Sequence, residues 1–289
     1  MPRFVNRLAF VIPLALILPA CLPLALRMSP SLLPDVTAAL FEECDPGIAE
    51  RAMPSHLKLM EALLKSDPGN RKARVSLCLG FTGYSMFFLE EDDPARASDL
   101  YLRAMDYGVE ALGPTALDLR NPGADEKRIQ DILSAFGKGD LDALFWTTLA
   151  WNAWINLNLD DPKALAQLGP ARMCIQRVLE IEPRHFHGLP AVLMGTNLVA
   201  LPSALGGRPA EARGYFEYAM DQSGGRFLPA PFFYARYYAV RIQDKELFER
   251  LLEDVLTTDP RELKEVCLIN AVFRRKAERL LAMKEELFL

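Results

Sequence analysis

Histidine, the side chain most often used for metal binding and for proton transfer near neutral pH, is rare in this chain of 289 residues. Histidine occurs three times, as His56, His185 and His187. His185 and His187 are two residues apart, and side chains with that spacing on a helix do not face each other. We therefore predict ordinary packed or solvated histidines near the start of a helix, and no metal site.

Sequence motifs of common catalytic and phosphate-binding sites are absent. The chain contains no G-x-S-x-G, no H-E-x-x-H and no Walker-type loop. Acidic clusters at 42–45 and 90–93 stand directly before prolines, where negative charge favours the start of a helix, and we interpret them as solvated surface. The sequence thus predicts a protein that is not an enzyme and uses no cofactor.

Two arginines follow glycine pairs and are candidate contacts for an anionic ligand or partner. They are Arg208, in the segment 206–208, and Arg226, in the segment 224–226. The glycines also fit the start and the left-handed end of an intervening helix, which is their ordinary structural role. The net charge of −5 gives no indication of a nucleic-acid partner.

Cys21 is the candidate site of a different reaction, the attachment of a lipid. It follows Arg3, Arg7, an apolar run over residues 8–18 and a small residue, Ala20. A positive segment, a short apolar segment and a small residue before the cut site are typical of an export signal. A cysteine directly after that site is typical of a lipoprotein, so we predict lipid on Cys21.

Two alternatives remain for this N-terminal segment. Its apolar stretch continues to Leu26 and nearly reaches the length that spans a bilayer, which could make it an uncleaved anchor. Alternatively, it is cleaved without lipid attachment. In each case the rest of the chain is exported, and we expect a periplasmic, membrane-anchored lipoprotein. We divide it into a signal peptide (1–20), a lipid-attachment and linker segment (21–45) and a helical domain (46–289).

The four remaining cysteines do not have metal-binding spacing. They are Cys44, Cys78, Cys174 and Cys267. Three of them lie in apolar helical patterns, so buried and unreactive thiols are expected. An exported protein could pair two of them in a disulfide, and the sequence does not indicate which two.

The elements that position these residues are predicted to be paired helices. Segments 97–104 and 212–219 share the pattern Ala-x3-(Tyr/Phe)-x2-Ala, which places small and aromatic residues on one helix face. Looser copies occupy 171–178 and 248–255. Small residues let paired helices approach closely while the aromatic ring fills the groove. The pattern predicts divergent tetratricopeptide-like helical hairpins, arranged as an α-solenoid after the signal segment.

Prolines and aspartates stand at the positions expected for helix starts, which agrees with an all-α fold. No segment shows convincing strand alternation. The helices are predicted near 46–65, 70–90, 94–112, 126–135, 140–158, 170–181, 185–203, 209–222, 229–242, 245–257 and 262–287.

One predicted helix, over residues 141–159, is apolar nearly all round. It carries Phe145, Trp146, Trp151 and Trp154, and therefore all three tryptophans of the chain. Such a helix is either packed inside the core or has one face lining a cavity. These four aromatic residues are the candidate walls of an apolar ligand cavity, with core packing as the alternative.

Five segments, in order along most of the mature chain, together resemble the T-component of TRAP transporters. Each segment is weakly diagnostic alone, but the set is specific. The segments are 52–70 (AMPSHLKLMEALLKSDPGN), 99–112 (DLYLRAMDYGVEAL), 144–162 (LFWTTLAWNAWINLNLDDP), 206–226 (GGRPAEARGYFEYAMDQSGGR) and 244–288.

The resemblance implies a lipid-tethered helical body that forms homo-oligomers, with a trimer expected, and that contains an apolar cavity or pore. It also implies association with the periplasmic substrate-binding P-component and a role in transport, with a hydrophobic small molecule as a further expected ligand. The alternative from another functional class is a membrane-tethered scaffold that binds proteins during envelope assembly.

Overall fold

The computed structural model describes residues 32–121 and 125–288, and in these ranges every regular element is helical, with no strand. This confirms the all-α class. The signal peptide and Cys21 lie outside the described residues. The helices are α1 (Leu32–Phe41), α2 (Pro46–Ser66), α3 (Arg71–Phe88), α4 (Pro94–Leu112), α5 (Glu126–Ser134), α6 (Leu141–Leu157), α7 (Pro162–Leu165), α8 (Leu168–Ile181), α9 (His185–Val199), α10 (Pro209–Ser223), α11 (Pro229–Phe233), α12 (Val240–Ile242), α13 (Lys245–Thr257), α14 (Cys267–Ala282) and α15 (Lys284–Leu287).

Aspartate side chains begin several of these helices. Asp45 accepts hydrogen bonds from the backbone N–H groups of Gly47 and Ile48 at the start of α2, and Asp93 accepts one from Arg96 at the start of α4. The proline that follows each aspartate is tolerated because its missing N–H would have no partner in the first turn. The predicted helix starts at these Asp-Pro pairs are confirmed.

Neighbouring helices in the chain pack against one another in succession. Contacts are most extensive between α3 and α4, between α9 and α10, and between α4 and α6, while α8 packs against both α6 and α9. The helix α14 then packs against α1, α2 and α3. The C-terminal part of the chain therefore meets the N-terminal part, and the helices enclose a common core.

The positions of the repeated small–aromatic–small pattern are buried at these helix contacts. Tyr101 in α4 and Phe216 in α10 are fully buried, as are the alanines on either side of each ring in the pattern. An added Cβ at Gly195 in α9 would come within 2.9 Å of the Phe216 ring. The pattern thus marks close helix contacts, and the tetratricopeptide-like repeat itself stays a prediction.

Several elements depart from the predicted boundaries. The segment 21–45, predicted as lipid attachment and linker, contains α1. The predicted helix over 262–287 begins with two short 3-10 turns, and its main part is α14. Between α11 and α12 a π-helical turn spans Tyr234–Ala239. These departures follow from tertiary packing, which the helical period does not encode.

A disulfide joins Cys44, just after α1, to Cys267 at the start of α14, with their Cα atoms 5.1 Å apart. Cys78 and Cys174 are buried free thiols, and burial raises the pKa of each to about 12. The expected unreactive thiols are therefore found at two positions, while the other two cysteines form the pair that the sequence left open. Within the part of the chain that the structure describes, no helix is long and apolar enough to cross a membrane.

Candidate apolar cavity

A small apolar cavity lies where α1, α3, α6, α9 and α14 meet. Its volume is about 30 Å³, far below the range of about 300–1,000 Å³ that is usual for small-ligand pockets. A ligand of ordinary size can enter only if side chains of the wall move. The wall consists of Phe41, Leu79, Thr82, Gly83, Met86, Phe87, Trp146, Leu149, Phe186, Leu189, Phe227, Pro229, Phe233, Ile269 and Phe273.

Helical spacing places these wall residues on common faces. Trp146 and Leu149 are three residues apart on α6, and Ile269 and Phe273 are four apart on α14, so that each pair projects from one side of its helix. The hydroxyl of Thr82 donates a hydrogen bond to the carbonyl oxygen of Cys78 at 2.7 Å. The wall hydroxyl is thus already satisfied, and the cavity offers an apolar surface to a ligand.

Phe186 projects into the cavity from a strained backbone segment. Phe186, His187 and Gly188 have φ angles of 45°, 58° and 81°. This left-handed conformation is ordinary for glycine but unfavourable for a phenylalanine and a histidine. The Phe186 ring contacts the rings of Phe41 at 5.9 Å and Trp146 at 5.0 Å. The strained turn therefore holds one of the central rings of the wall.

The two histidines of this turn face acidic residues. His185 Nε2 lies 3.5 Å from Asp142 Oδ1, and His187 Nε2 lies 3.8 Å from Glu265 Oε1. Burial lowers the pKa of both histidines, and the facing carboxylates act in the opposite direction. Over residues 32–121 and 125–288, no group of three or more His, Cys, Asp or Glu side chains is placed to hold a metal ion.

The structure separates the four aromatic residues that we proposed as cavity walls. Trp146 lines the cavity, and the ring of Phe145 lies behind it at 4.7 Å, fully buried. The indole N–H of Trp151 donates to Gln167 Oε1 at 2.7 Å, away from the cavity. Trp154 is half-buried against the core. Phe41 and Phe186, which no sequence pattern indicated, also line the cavity.

Arg208 and Arg226 are both exposed at the two ends of α10. A helix of 15 residues is about 22 Å long, so a small ligand would not contact both. The guanidinium of Arg208 pairs with Glu211 at 2.9 Å, and Arg226 Nε donates to the carbonyl oxygen of Ser223 at 3.2 Å. The structure does not bring these two predicted contacts together.

The first two side chains of the acidic run 90–93 are partly covered, whereas Asp92 and Asp93 are exposed, as expected for solvated surface. The side chains of Glu90 and Glu91 are 13% and 23% exposed, and both pair with the buried Lys276, at 3.4 and 3.2 Å. Glu90 also accepts a hydrogen bond from the hydroxyl of Tyr101 at 2.5 Å. Although burial acts to raise the pKa of Glu91, Lys276 and Arg279 hold it below its ordinary value. The cluster joins α14 to the end of α3.

Comparisons with known proteins identify one family and one relative that this chain resembles. The family model described as "TRAP transporter T-component" matches residues 42–288, which include all the wall residues except Phe41. An uncharacterized protein of Treponema pallidum (strain Nichols) is 22% identical over 276 residues, covering 88% of this chain and 84% of that protein.

Proposed function

Because the chain belongs to the TRAP transporter T-component family, we propose that it is a non-catalytic accessory that binds the transporter's P-component and holds an apolar or amphipathic ligand. The family membership supports an accessory role in TRAP transport. The P-component, the ligand and a trimeric assembly are the proposed parts of this function. The observation that supports ligand binding best is the cavity wall of aromatic and aliphatic side chains around Trp146 and Phe186.

Burial of apolar surface would drive ligand entry. Each Å² of apolar ligand surface that leaves water contributes about 25 cal/mol, and no covalent step is involved. The cavity must widen for this, because its volume is about 30 Å³. The left-handed conformation of Phe186 and His187 costs about 1–2 kcal/mol per residue. Relaxation of this turn would offset part of the cost of moving the Phe186 ring.

Export and lipid attachment complete the proposal. The signal at residues 1–20 and Cys21 would place the helical body in the periplasm beside the membrane that contains the transporter. Membrane fractionation of a Cys21→Ala variant tests the lipid. Loss of the protein from the membrane fraction is expected, whereas unchanged retention would favour the uncleaved anchor.

A contact quencher tests the cavity at Trp146. In the double variant W151F/W154F, Trp146 is the one tryptophan of the chain. We expect 1-bromooctane, whose bromine quenches tryptophan fluorescence at contact, to quench Trp146 in a saturable manner. The matched variant W146F/W151F keeps Trp154, which does not line the cavity.

The difference in quenching between the two variants shows whether the ligand binds in the cavity. Saturable quenching of Trp146 with little effect on Trp154 supports the cavity. Equal quenching of both tryptophans, or none of either, contradicts it. Circular dichroism of each variant establishes that the helical fold is intact.

Purification from the native envelope after cross-linking tests the docking part separately. Mass spectrometry should identify a TRAP substrate-binding protein cross-linked to the chain. Recovery of envelope-assembly proteins without any TRAP component would favour the alternative scaffold role and contradict the proposal.

A further inference from the structure

A groove crosses the surface of α8. It consists of two hollows of about 960 and 880 Å³. The first lies between α5, α7 and α8, and the second lies between α8, α9 and α10. Arg172 and Gln176, one turn apart on α8, line both hollows. The two hollows therefore adjoin each other at Arg172 and Gln176.

The side chain of Arg172 is held in place by a relay of hydrogen bonds through two buried side-chain amides, those of Asn197 and Asn152. Its Nε donates to Asn197 Oδ1 at 2.8 Å, and Asn197 Nδ2 donates to Asn152 Oδ1 at 3.1 Å and to the carbonyl oxygen of Leu168 at 3.3 Å. Asn152 and Asn197 are both buried. This relay fixes the plane of the guanidinium and uses only its Nε–H, which leaves the terminal N–H groups for another partner.

Arg172 is half-buried and makes no ion pair within the described part of the chain. Burial lowers the pKa of Arg172, Arg208 lowers it further, and Glu211 acts in the opposite direction. Arg208 lines the same hollow and has Glu211 as its own partner at 2.9 Å. Glu180 also lines this hollow and pairs with Arg177 at 3.0 Å. Among the described residues of the hollow, Arg172 is therefore the cation that has no ion pair of its own.

Helix ends add to the positive potential. Arg172 lies near the N-terminus of α8 and Arg208 is the residue that precedes α10, so both cations stand where the helix dipole is also positive. The opposing C-terminal end of α9 is already occupied, because Arg241 donates to the carbonyl oxygens of Val199 and Ala200. An acidic group at this point would be stabilised by the guanidinium of Arg172, with Arg208 lining the same hollow.

We propose that Arg172 and Arg208 bind an acidic side chain of a partner protein, presented by an extended segment that lies along the groove. Apolar side chains on each side of that acid would occupy the two hollows. Their walls include Leu119, Ile129 and Met173 in one, and Met194 and Tyr218 in the other.

The length of the groove favours a peptide segment over a small molecule. Each hollow is already near the upper end of the range of about 300–1,000 Å³ that is usual for small ligands, and the charge lies at their junction. An occupant that fills both hollows must be elongated and carry its acid in the middle. This inference goes beyond the proposed function, since it depends neither on the apolar cavity nor on which protein supplies the segment.

Two peptide libraries test the proposal. Both consist of capped nine-residue peptides with randomised positions around a fixed centre, which is glutamate in one library and glutamine in the other. The full chain is immobilised, and the retained peptides are quantified by mass spectrometry. We expect the glutamate library to be retained about 10-fold more than the glutamine library, because a charge-assisted bidentate hydrogen bond is lost with glutamine.

Substitutions of the two arginines test whether these residues cause the preference for glutamate. Arg172→Gln should abolish the preference for glutamate, and Arg208→Gln should reduce it about 3-fold. Arg172→Lys should recover little of it, since lysine has neither the planar fork nor the Nε–H that bonds to Asn197. Arg213→Gln is the matched control, because Arg213 is an exposed arginine on α10 that pairs with Glu217 and does not line the groove.

Equal retention of the two libraries on the unmodified protein overturns the proposal, as does a preference that persists in Arg208→Gln and Arg172→Gln alike. If Arg172→Gln fails to fold, Arg208→Gln decides alone, because the side chain of Arg208 is exposed and pairs with Glu211 within the same helix turn. Competition with 4-phenylbutyrate tests whether the groove binds a small carboxylic acid instead of a peptide. If this free acid binds more tightly than every retained peptide, the groove is a small-molecule site and the assignment to a protein segment is wrong.

Discussion

At the scale of single residues, buried carboxylates join helices that are distant in sequence. Glu61 in α2 is 9% exposed and contacts three partners. Lys58 Nζ lies 2.7 Å from its Oε2, the hydroxyl of Tyr107 donates to Oε1 at 2.7 Å, and Arg103 pairs with the same oxygen. Burial acts to raise the pKa of Glu61, but these partners hold it below its ordinary value of 4.5. The charged form of Glu61 thus stabilises the contact between α2 and α4.

Glu61→Gln should lower the free energy of unfolding at pH 7 by about 2 kcal/mol, since hydrogen bonds to a charged group are lost. Because the pKa of Glu61 is lower in the folded state than in the unfolded state, its contribution is present above pH 4.5 and is lost as the pH falls through the folded-state pKa. The difference from the unmodified protein should therefore shrink near pH 3, as measured by urea denaturation at both pH values.

Glu253→Gln is the control for this measurement, because Glu253 is exposed on α13. It should change the free energy of unfolding by less than about 0.5 kcal/mol at either pH. A loss in Glu61→Gln that is equal at pH 3 and pH 7 would show that packing, and not charge, accounts for the effect.

At the scale of elements, glycines decide how closely helices approach. An added Cβ at Gly195 in α9 would lie 2.7–2.9 Å from three atoms of the Phe216 ring in α10. Gly108 in α4 is packed in the same manner, against the side chain of Thr147 in α6. The pattern of small and aromatic residues in α10 was recognisable in the sequence. Its glycine partner in α9 was not, because helical period alone does not show which helices pair.

Gly195→Ala should lower the free energy of unfolding by about 1–3 kcal/mol, because the new methyl group overlaps the Phe216 ring. Gly214→Ala, on the exposed side of α10 with open space around it, should instead raise it by about 0.5–1 kcal/mol through helix propensity. Thermal and urea denaturation of both variants measure the two effects. If both alanines stabilise the protein, α9 and α10 are not as close as described.

At the scale of the whole molecule, contacts between the two ends of the chain close the fold. The disulfide between Cys44 and Cys267 joins residues 223 positions apart. The rings of Phe87 and Phe273 lie 6.4 Å from each other, and both belong to the cavity wall. The cavity therefore exists because α14 packs against α1 and α3, and the disulfide lies beside this contact.

Removal of the disulfide in the double variant C44S/C267S should lower the free energy of unfolding by about 2–5 kcal/mol, since the bond closes a long loop in the unfolded chain. Hydrogen exchange in α1 should increase, because Cys44 lies just beyond its C-terminal end. Dithiothreitol should lower the melting temperature of the unmodified protein and leave that of the variant unchanged, because the described thiols Cys78 and Cys174 are free in both. An equal response of both proteins would mean that the pair is not formed.

The sequence by itself determined the features that depend on residues close to one another in the chain. Aspartate caps such as Asp45 and Asp93, the buried face around Tyr101 and Phe216, and the all-α class follow from local hydrogen bonds and from the helical period. The five-segment resemblance also identified the family that the match over residues 42–288 establishes.

Only the tertiary structure decided which residues form the candidate sites. It selected Trp146 over Trp151 and Trp154 for the cavity wall and added Phe186 from a left-handed turn. It also paired Cys44 with Cys267 across 223 residues. The physical reason is that these sites form where α14 returns to the N-terminal helices and where α8 meets α9 and α10. Such contacts join residues far apart in the chain, and no local spacing encodes them.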